Sequence, residues 1–199
     1  MTNNIRFADI SVLDEKSRLS VSHLVIESLP VYYRSDGMDD AEMVAAVAGL
    51  IGHAGSEIEK GFAAFCGTNV AGTATFLHSE HLQRARLVGA QALLRLLSGP
   101  SARQFRNNLK NYNTGFAEVP DGAIYLSRFA VDPYYRGKGL ADQMMERFLS
   151  LRPDGGDRWS RAFLHVDRQN HRAVAFYTRH GFGVYEPGER YLTMEHLQI

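Results

Sequence analysis

The sequence lacks the compositional features of secreted, membrane-spanning and nucleic-acid-binding proteins. Cys66 is the only cysteine among 199 residues, so no internal disulfide can form and a reducing compartment is expected. Basic and acidic residues number 22 each, so the net charge gives no reason to expect a nucleic-acid partner. No stretch approaches the roughly 18 apolar residues of a membrane helix, and the N-terminus lacks a signal-peptide pattern. We therefore expect a cytoplasmic protein with no membrane or nucleic-acid partner.

The composition that remains is ordinary for a globular protein, with 45% apolar and 22% charged residues. The length suits one domain over residues 1–199. Apolar runs predict strands, and 3.6-residue periodicity predicts helices between them. This alternation predicts an α/β fold, a mixed sheet with helices on its faces. The predicted strands are 5–10, 61–66, 70–78, 125 to about 133, 161–166, 183–186 and 190–195.

Helical periodicity is expected over 13–29 and again after Asp39, which forms a variant capping box with Glu42. Residues 30–37 between these helices read as a loop. Residues 79–112 return to helical spacing, and Gly99-Pro100 is expected to divide them into two helices. Their predicted apolar face consists of Leu87, Ala90, Leu94 and Leu97.

The 79–112 segment is also the most basic part of the chain, with six lysines or arginines against Glu80 alone. Such runs are usually solvated helix faces. The alternative is that these helices, basic on one side and apolar on the other, bind an acceptor, a partner or a second copy of the chain in a homodimer. Residues 1–60 have the opposite balance, five basic against ten acidic residues.

A strand, a glycine-rich turn and a helix follow one another from Tyr125 to Leu151. Pro133 ends the strand, and Gly137 and Gly139 allow positive φ or a close approach of the backbone to a ligand. Free N–H groups at the start of the helix make the turn a site for phosphate oxygens. The turn lacks the Walker A pattern, and a third glycine is missing for a dinucleotide fingerprint.

Two motifs resemble the GNAT superfamily of acyl-CoA N-acyltransferases. Arg136-x-x-Gly139-x-Ala141 is similar to the family's pyrophosphate loop, [QR]-x-x-G-x-[GA]. About thirty residues on, the segment from Asn170 to Phe182 is similar to the family's N-x-x-A-x-x-[FL]-Y-x-x-x-G-F. The residues themselves predict a helix here, with Asn170 as its N-cap.

The resemblance implies a GNAT-type fold, a mixed and mostly antiparallel central sheet with helices on both faces. Residues 79–121 then form a helical insertion between the third and fourth strands. It also implies acetyl-CoA as acyl donor, without a metal. Pantetheine would lie between two splayed strands and pair with backbone of the first, and the glycine-rich turn would hold the pyrophosphate. The cofactor contacts so implied are Phe129, Ala130, Val131, Arg136, Gly137, Lys138, Gly139, Leu140, Ala141 and Asn170.

The resemblance further implies N-acetyl transfer directly to a primary amine of a small molecule or peptide, with Tyr177 as the acid for the leaving thiolate. Without the motif, Tyr177 is simply a residue on the apolar face of its helix. Many relatives carry a glutamate base where this chain has Ser127. The base therefore stays unassigned, with Glu118, Asp121, His165 and His78 as candidates.

Two questions stay open at this level. The missing base allows an alternative, a non-catalytic acyl-CoA-binding sensor or partner-binding module. For the acceptor, Tyr32, Tyr33 and Asp36 in the 30–37 loop and the acidic first third of the chain suggest a small cationic amine, although a peptide N-terminus or a lysine side chain also fits.

Overall fold

The computed structural model describes residues 5–112, 116–152 and 159–197. Seven strands within these ranges form one sheet in the order β1-β2-β3-β4-β5-β7-β6. Neighbours are antiparallel except β4 and β5, which are parallel. The mixed, mostly antiparallel sheet expected from the sequence is confirmed. The strands are β1 Ile5–Asp9, β2 Gly61–Cys66, β3 Asn69–His78, β4 Ile124–Val131, β5 Arg161–Asp167, β6 Gly183–Pro187 and β7 Tyr191–Leu197.

Helices cover both faces of the sheet, and each face has its own apolar core. One core joins α1, α2, α3, α4 and α5 to the sheet, and the other joins α6 and the half-buried side of α7 to it. None of the described helices combines the length and hydrophobicity needed to cross a membrane. The helices are α1 Glu15–Ser28, α2 Pro30–Tyr33, α3 Asp40–Leu50, α4 Leu82–Leu96, α5 Gly99–Tyr112, α6 Leu140–Leu149 and α7 His171–Arg179.

The connection between β3 and β4 carries α4 and α5, so the expected helical insertion is confirmed. The expected division into two helices is confirmed, and the break lies two residues before Gly99-Pro100, because α4 ends at Leu96 and α5 begins at Gly99, with Pro100 in its first turn. Proline is tolerated there since that position has no intrahelical N–H bond to lose. Residues 113–115 of the loop that follows, and the turn expected at 153–157, lie outside the described residues.

The predicted apolar face of α4 is only partly right, since Leu97 is buried and Leu94 packs against the core. Leu87 is 64% exposed, and the buried residues are Leu82, Ala85, Gly89 and Leu93. The two stripes are offset by one residue, about 100° around the helix. The stripe with the smaller side chains packs inward because alanine and glycine allow close approach to α3, where a Cβ on Gly89 would lie 3.9 Å from Leu50.

The loop predicted over 30–37 begins instead with the short helix α2. Pro30 occupies its first turn, and Tyr32 and Tyr33 are buried rather than displayed in a loop. The Tyr32 ring packs edge-on against Phe105 and Tyr112 of α5, with ring centres 5.2 and 4.9 Å apart. Burial of both rings stabilises a helical turn that the local sequence does not require.

Asp39 caps α3 as expected, accepting hydrogen bonds from the backbone N–H groups of Ala41 and Glu42. The reciprocal half of the predicted capping box is absent. The Glu42 carboxylate accepts instead from the backbone N–H of Ser98, and Ser101 Oγ accepts from Asp39 N at 3.3 Å. Contacts with the start of α5 therefore replace the hydrogen bond of the capping box, and they hold the insertion against α3.

Candidate active site

Strands β4 and β5 separate soon after they begin. They pair only through Ile124 with Ala162 and Tyr125 with Phe163. On the other side of β4 the register shifts, since Thr75 pairs with Arg128 and Phe76 with Leu126, which leaves Ser127 as a bulge. A bulge bends its strand. The end of β4 is therefore splayed from β5, as the resemblance implied.

A cavity of about 390 Å³ fills the gap between the splayed strands. Its walls include residues of both apolar cores, for example Tyr112 and Tyr191 from one and Leu164 and Tyr177 from the other. The two cores lie on opposite faces of the sheet. The cavity therefore passes through the sheet.

The glycine-rich turn follows the end of β4. Gly137 and Gly139 have φ of 73° and 77°, a region that side chains with a Cβ rarely adopt. Nothing lies within 4 Å of where a Cβ on either would stand. The first N–H groups of α6 follow at Leu140 and, among the described residues, no side chain caps them. The turn thus offers open, unpaired donors at a helix N-terminus, which suits the pyrophosphate of coenzyme A.

The two basic side chains of this turn contact the protein itself. Arg136 Nε donates to the Val131 carbonyl at 2.9 Å, which braces the turn against the end of β4. Lys138 Nζ lies 3.8 Å from the centre of the exposed Tyr134 ring. Both remain beside the turn, so they supply positive charge near it while the backbone provides the directed donors.

Asp142 in the first turn of α6 joins this helix to α7. Its Oδ1 accepts from Arg179 at 3.0 Å and from His180 Nε2 at 2.8 Å. These hydrogen bonds, that of Arg179 above all, lower the pKa of the Asp142 carboxyl. The contact fixes the position of the glycine-rich turn relative to the helix that carries Tyr177.

Helix α7 presents Asn170 and Tyr177 to the cavity. Asn170 Oδ1 accepts from Ala173 N at 3.1 Å, so the predicted N-cap is confirmed. Tyr177 packs beside Phe129 of β4, with ring centres 6.4 Å apart. Burial, with a smaller contribution from Tyr125, raises the pKa of the Tyr177 hydroxyl. At neutral pH this hydroxyl is protonated, so it can donate a proton or a hydrogen bond.

The opposite side of the cavity is walled by aromatic rings. Phe116 stacks on Tyr191 at 4.4 Å and lies 4.8 Å from both Tyr112 and His165. Tyr125 OH lies 2.8 Å from His165 Nδ1, and His165 Nε2 lies 3.1 Å from the Ala117 carbonyl. Since a carbonyl only accepts, Nε2 carries the proton and Nδ1 accepts from Tyr125. Burial and the nearby Arg86 lower the pKa of His165 to about 4.

Behind these rings lies a buried cluster that the sequence did not reveal. The Glu57 carboxylate lies between two guanidinium groups, 3.6 Å from Arg86 Nε and 3.4 Å from Arg128 NH2. Arg128 also donates to Tyr33 OH, at 3.2 Å from NH2. Ser127 Oγ donates to the Glu57 carbonyl at 2.6 Å, which holds this segment against β4. Glu57 and Arg128 are 71 positions apart, so no local pattern could have paired them.

None of the four base candidates is well placed. His165 lines the cavity, but both of its nitrogens are bonded. Glu118 and Asp121 are exposed and outside the lining of this cavity, and His78 lines a separate cavity of about 490 Å³ beside Trp159. Asp167 lines the site but lies 3.6 Å from Arg190 and accepts from Gln169 N. Among the described residues, no cluster of three or more histidine, cysteine or acidic side chains could hold a metal ion.

A model of the acetyltransferase (GNAT) family matches residues 32–182, more than half of the chain. The chain belongs to the GNAT family. It is accordingly an acyl-CoA-dependent N-acetyltransferase, and acetyl-CoA is the family's donor. No curated protein matches the sequence.

Solved structures with the same fold include several acetyltransferases. An N-acetyltransferase from Staphylococcus aureus Mu50 is 16% identical, with a TM-score of 0.67 over 94% of this chain and 98% of that one. The PaiA N-acetyltransferase from Thermoplasma acidophilum, solved in complex with coenzyme A, is 14% identical, with a TM-score of 0.57 over 98% and 99%. At these identities the likeness establishes that this GNAT protein shares their fold.

The residues implicated by the family motifs divide between two places in the structure. Phe129, Asn170 and Tyr177 line the cavity. Ala130 and Val131 complete the splayed end of β4, 136–139 form the turn after it, and Leu140 and Ala141 begin α6. The aromatic wall built by Tyr112, Phe116 and Tyr191 was missed, because these rings come from the insertion and from β7.

Proposed function

We propose that the protein moves an acetyl group from acetyl-CoA directly to a primary amine of a small molecule or peptide. The observation that carries the proposal is the cavity through the sheet. It brings Tyr177 and the open edge of β4 on one side together with a closed aromatic wall on the other. Direct transfer needs such a passage, since donor and acceptor must meet within bonding distance.

The donor enters on the α6 and α7 side. The free edge of β4 at Phe129–Val131 pairs with the amides of the pantetheine arm as a strand would. Backbone N–H groups from Gly137 to Ala141 bind the pyrophosphate, and Arg136 and Lys138 add positive charge. Asn170 lies where its amide reaches the same arm. These assignments rest on the uncapped helix start, the open glycine turn and the splayed strand.

The acceptor enters on the aromatic side and attacks as its free base. At pH 7, an alkyl amine with pKa about 10.4 pays about 4–5 kcal/mol to lose its proton. No unpaired base among the described residues of the cavity offsets this, so the proton leaves to solvent before attack. As the nitrogen bonds to the acetyl carbon and the C–S bond breaks, Tyr177 donates its hydroxyl proton to the departing sulfur. The nitrogen then loses its extra proton to solvent, and solvent returns a proton to the Tyr177 oxygen.

Two measurements test the donor site and the transfer. Calorimetric titration of acetyl-CoA compares the wild type with Gly139→Glu, which places a carboxylate where phosphate is expected. Gly122→Glu is the matched control, since Gly122 has φ of 76° and equally open surroundings but lies before β4. Thiol release is then followed with pools of amines. We expect binding in the wild type and control, loss of binding in Gly139→Glu, and release with at least one pool.

Two results contradict the proposal. Equal binding by Gly139→Glu and the wild type would place the donor elsewhere. Binding without release in any pool of small amines or peptides would mean that the cavity does not serve transfer to a primary amine.

A further inference from the structure

The helical insertion carries positive charges that have no ion-pair partner in the described part of the chain. Residues 79–112 contain six lysines or arginines and one acidic residue, Glu80, although the net charge of the whole chain is zero. Arg86 is half-buried and lies 3.6 Å from Glu57. The other five cations are exposed, and the ion pairs among the described residues include none of them. We call these five side chains the basic face: Arg84, Arg95, Arg103, Arg106 and Lys110.

Helices α4 and α5 form an antiparallel hairpin. Only Leu97 and Ser98 join them. The beginning of α4 and the end of α5 contact the same ring, since the Arg86 guanidinium lies 4.7 Å and the Tyr112 ring 4.8 Å from the centre of the Phe116 ring. The two helices therefore run side by side in opposite directions, and their outer sides belong to one part of the surface.

The basic face points away from the rest of the protein. On α4, Arg84 and Arg95 are about three turns apart, on the side opposite the buried stripe of that helix. On α5, Arg103, Arg106 and Lys110 follow the i, i+3, i+7 spacing of one helix side, and the buried residues of α5 lie on the other. At 1.5 Å per residue these cations span about 16 Å along α4 and about 10 Å along α5. Such lengths suit a short segment of another chain.

The acidic side chains at the start of α3, which contacts the hairpin, already have partners. Glu42 accepts from the backbone N–H of Ser98, and Asp39 caps α3. Asp40 lies 3.6 Å from Arg34. None of these carboxylates pairs with the basic face, so its charges can meet a partner in solution.

Two features favour a polypeptide over a nucleic acid as that partner. Leu87 is 64% exposed and lies one turn from Arg84 on the same side of α4, whereas Phe105 and Tyr112 of α5 are buried and offer no platform for stacked bases. A long polyanion would also extend beyond the hairpin to residues 1–60, which have ten acidic and five basic side chains. A short acidic segment stays on the basic face and avoids that repulsion.

We propose that the basic face binds an acidic segment of a partner polypeptide, with carboxylates at the five cations and an apolar side chain against Leu87. The opposite charges speed the encounter and orient the partner, and the apolar contact adds affinity that salt does not screen. This inference does not depend on acetyl transfer, because no residue of the basic face lines the cavity of the candidate active site.

A labelled peptide tests this surface directly. The probe is a fluorescein-labelled peptide with glutamates at i, i+4 spacing around one leucine, and the matched probe has glutamine in place of every glutamate. Fluorescence anisotropy gives the Kd of each at low and at physiological salt. We expect the glutamate probe to bind at least about tenfold more tightly than the glutamine probe, with a Kd that rises as salt is added.

Charge reversal links the binding to the basic face. Arg84→Glu with Arg106→Glu replaces two positive charges by two negative ones, and Lys16→Glu with Lys60→Glu does the same at exposed positions outside the hairpin. The first variant is expected to lose at least about tenfold in affinity for the glutamate probe, and the control to stay within about twofold of the wild type. Arg84→Gln with Arg106→Gln removes the charges without reversing them, and it serves if the reversed variant does not fold. Leu87→Ser should weaken binding and leave its salt dependence unchanged.

Four results would overturn the proposal. Equal affinities for the glutamate and glutamine probes would show that the face does not recognise carboxylates. An equal loss in the Lys16→Glu, Lys60→Glu control would show that only the net charge matters. Tighter binding of a single-stranded RNA oligonucleotide than of the glutamate probe, lost in the Arg84→Glu, Arg106→Glu variant, would assign the face to nucleic acid. A salt-sensitive dimer of the protein alone, absent in that variant, would assign it to a second copy of the chain.

Discussion

Replacing His165 by glutamine tests the buried, neutral imidazole that packs against Phe116. Burial and Arg86 hold the pKa of His165 at about 4, against 6.5 in an unfolded chain. Below pH 6.5 the unfolded chain gains a proton that the folded protein does not, so folding stability falls as the pH drops to about 4. A difference of about 2.5 units at 1.36 kcal/mol per unit gives a loss of about 3 kcal/mol.

Urea unfolding at pH 7.5 and at pH 4.5 measures this loss. Glutamine keeps an acceptor for Tyr125 and a donor for the Ala117 carbonyl, but it does not titrate. The wild type should therefore lose about 2–3 kcal/mol more than His165→Gln between the two pH values. His23→Gln removes an exposed histidine of α1 and serves as the control. The same pH dependence in the wild type and His165→Gln would refute a neutral His165 and the hydrogen-bond assignment built on it.

Three further predictions concern catalysis and packing. Tyr177→Phe should lower kcat by about 10²–10⁴ with unchanged acetyl-CoA affinity in calorimetry, because it removes only the proton donor; an unchanged kcat would exclude that role. Gly72→Ala should destabilise the protein by about 1–3 kcal/mol in urea unfolding, since its Cβ would lie 2.5 Å from Met144 Sδ of α6. An unchanged free energy of unfolding would mean that α6 shifts freely. Plotted against pH, kcat/KM should rise towards the pKa of the amine with no inflection near pH 6.5, because His165 is already neutral there. An inflection that disappears in His165→Gln would show that His165 is the base.

Features set by the local chain could be predicted from the sequence. Gly137 and Gly139 take the positive φ that only glycine adopts readily, and Asn170 caps α7 with its own side chain. Such conformations depend on residues a few positions apart. The end of β4 near Pro133 follows from the same kind of chemistry, because proline cannot donate to the sheet.

Features set by distant contacts could not be predicted. Helix α4 carries two overlapping apolar stripes, and only the partner α3 decides that the one through Ala85 and Gly89 is buried. The expected loop after α1 becomes a helical turn because α5, about seventy residues later, offers rings to Tyr32. Periodicity shows that a face is apolar, but it does not show which of two faces meets a neighbour.

Ser127 lies at the centre of the site, and its role depends both on the local sequence and on distant contacts. The sequence shows that this position lacks the glutamate of many relatives, and the structure shows what the serine does instead. As the bulged residue of β4, it shares a 2.7 Å hydrogen bond with Thr75 Oγ1 and donates to the Glu57 carbonyl. It thereby holds Glu57 where the carboxylate partly neutralises Arg86 and Arg128. At this position a structural contact stands where many relatives have a base, so under the proposed function the acceptor loses its proton to solvent.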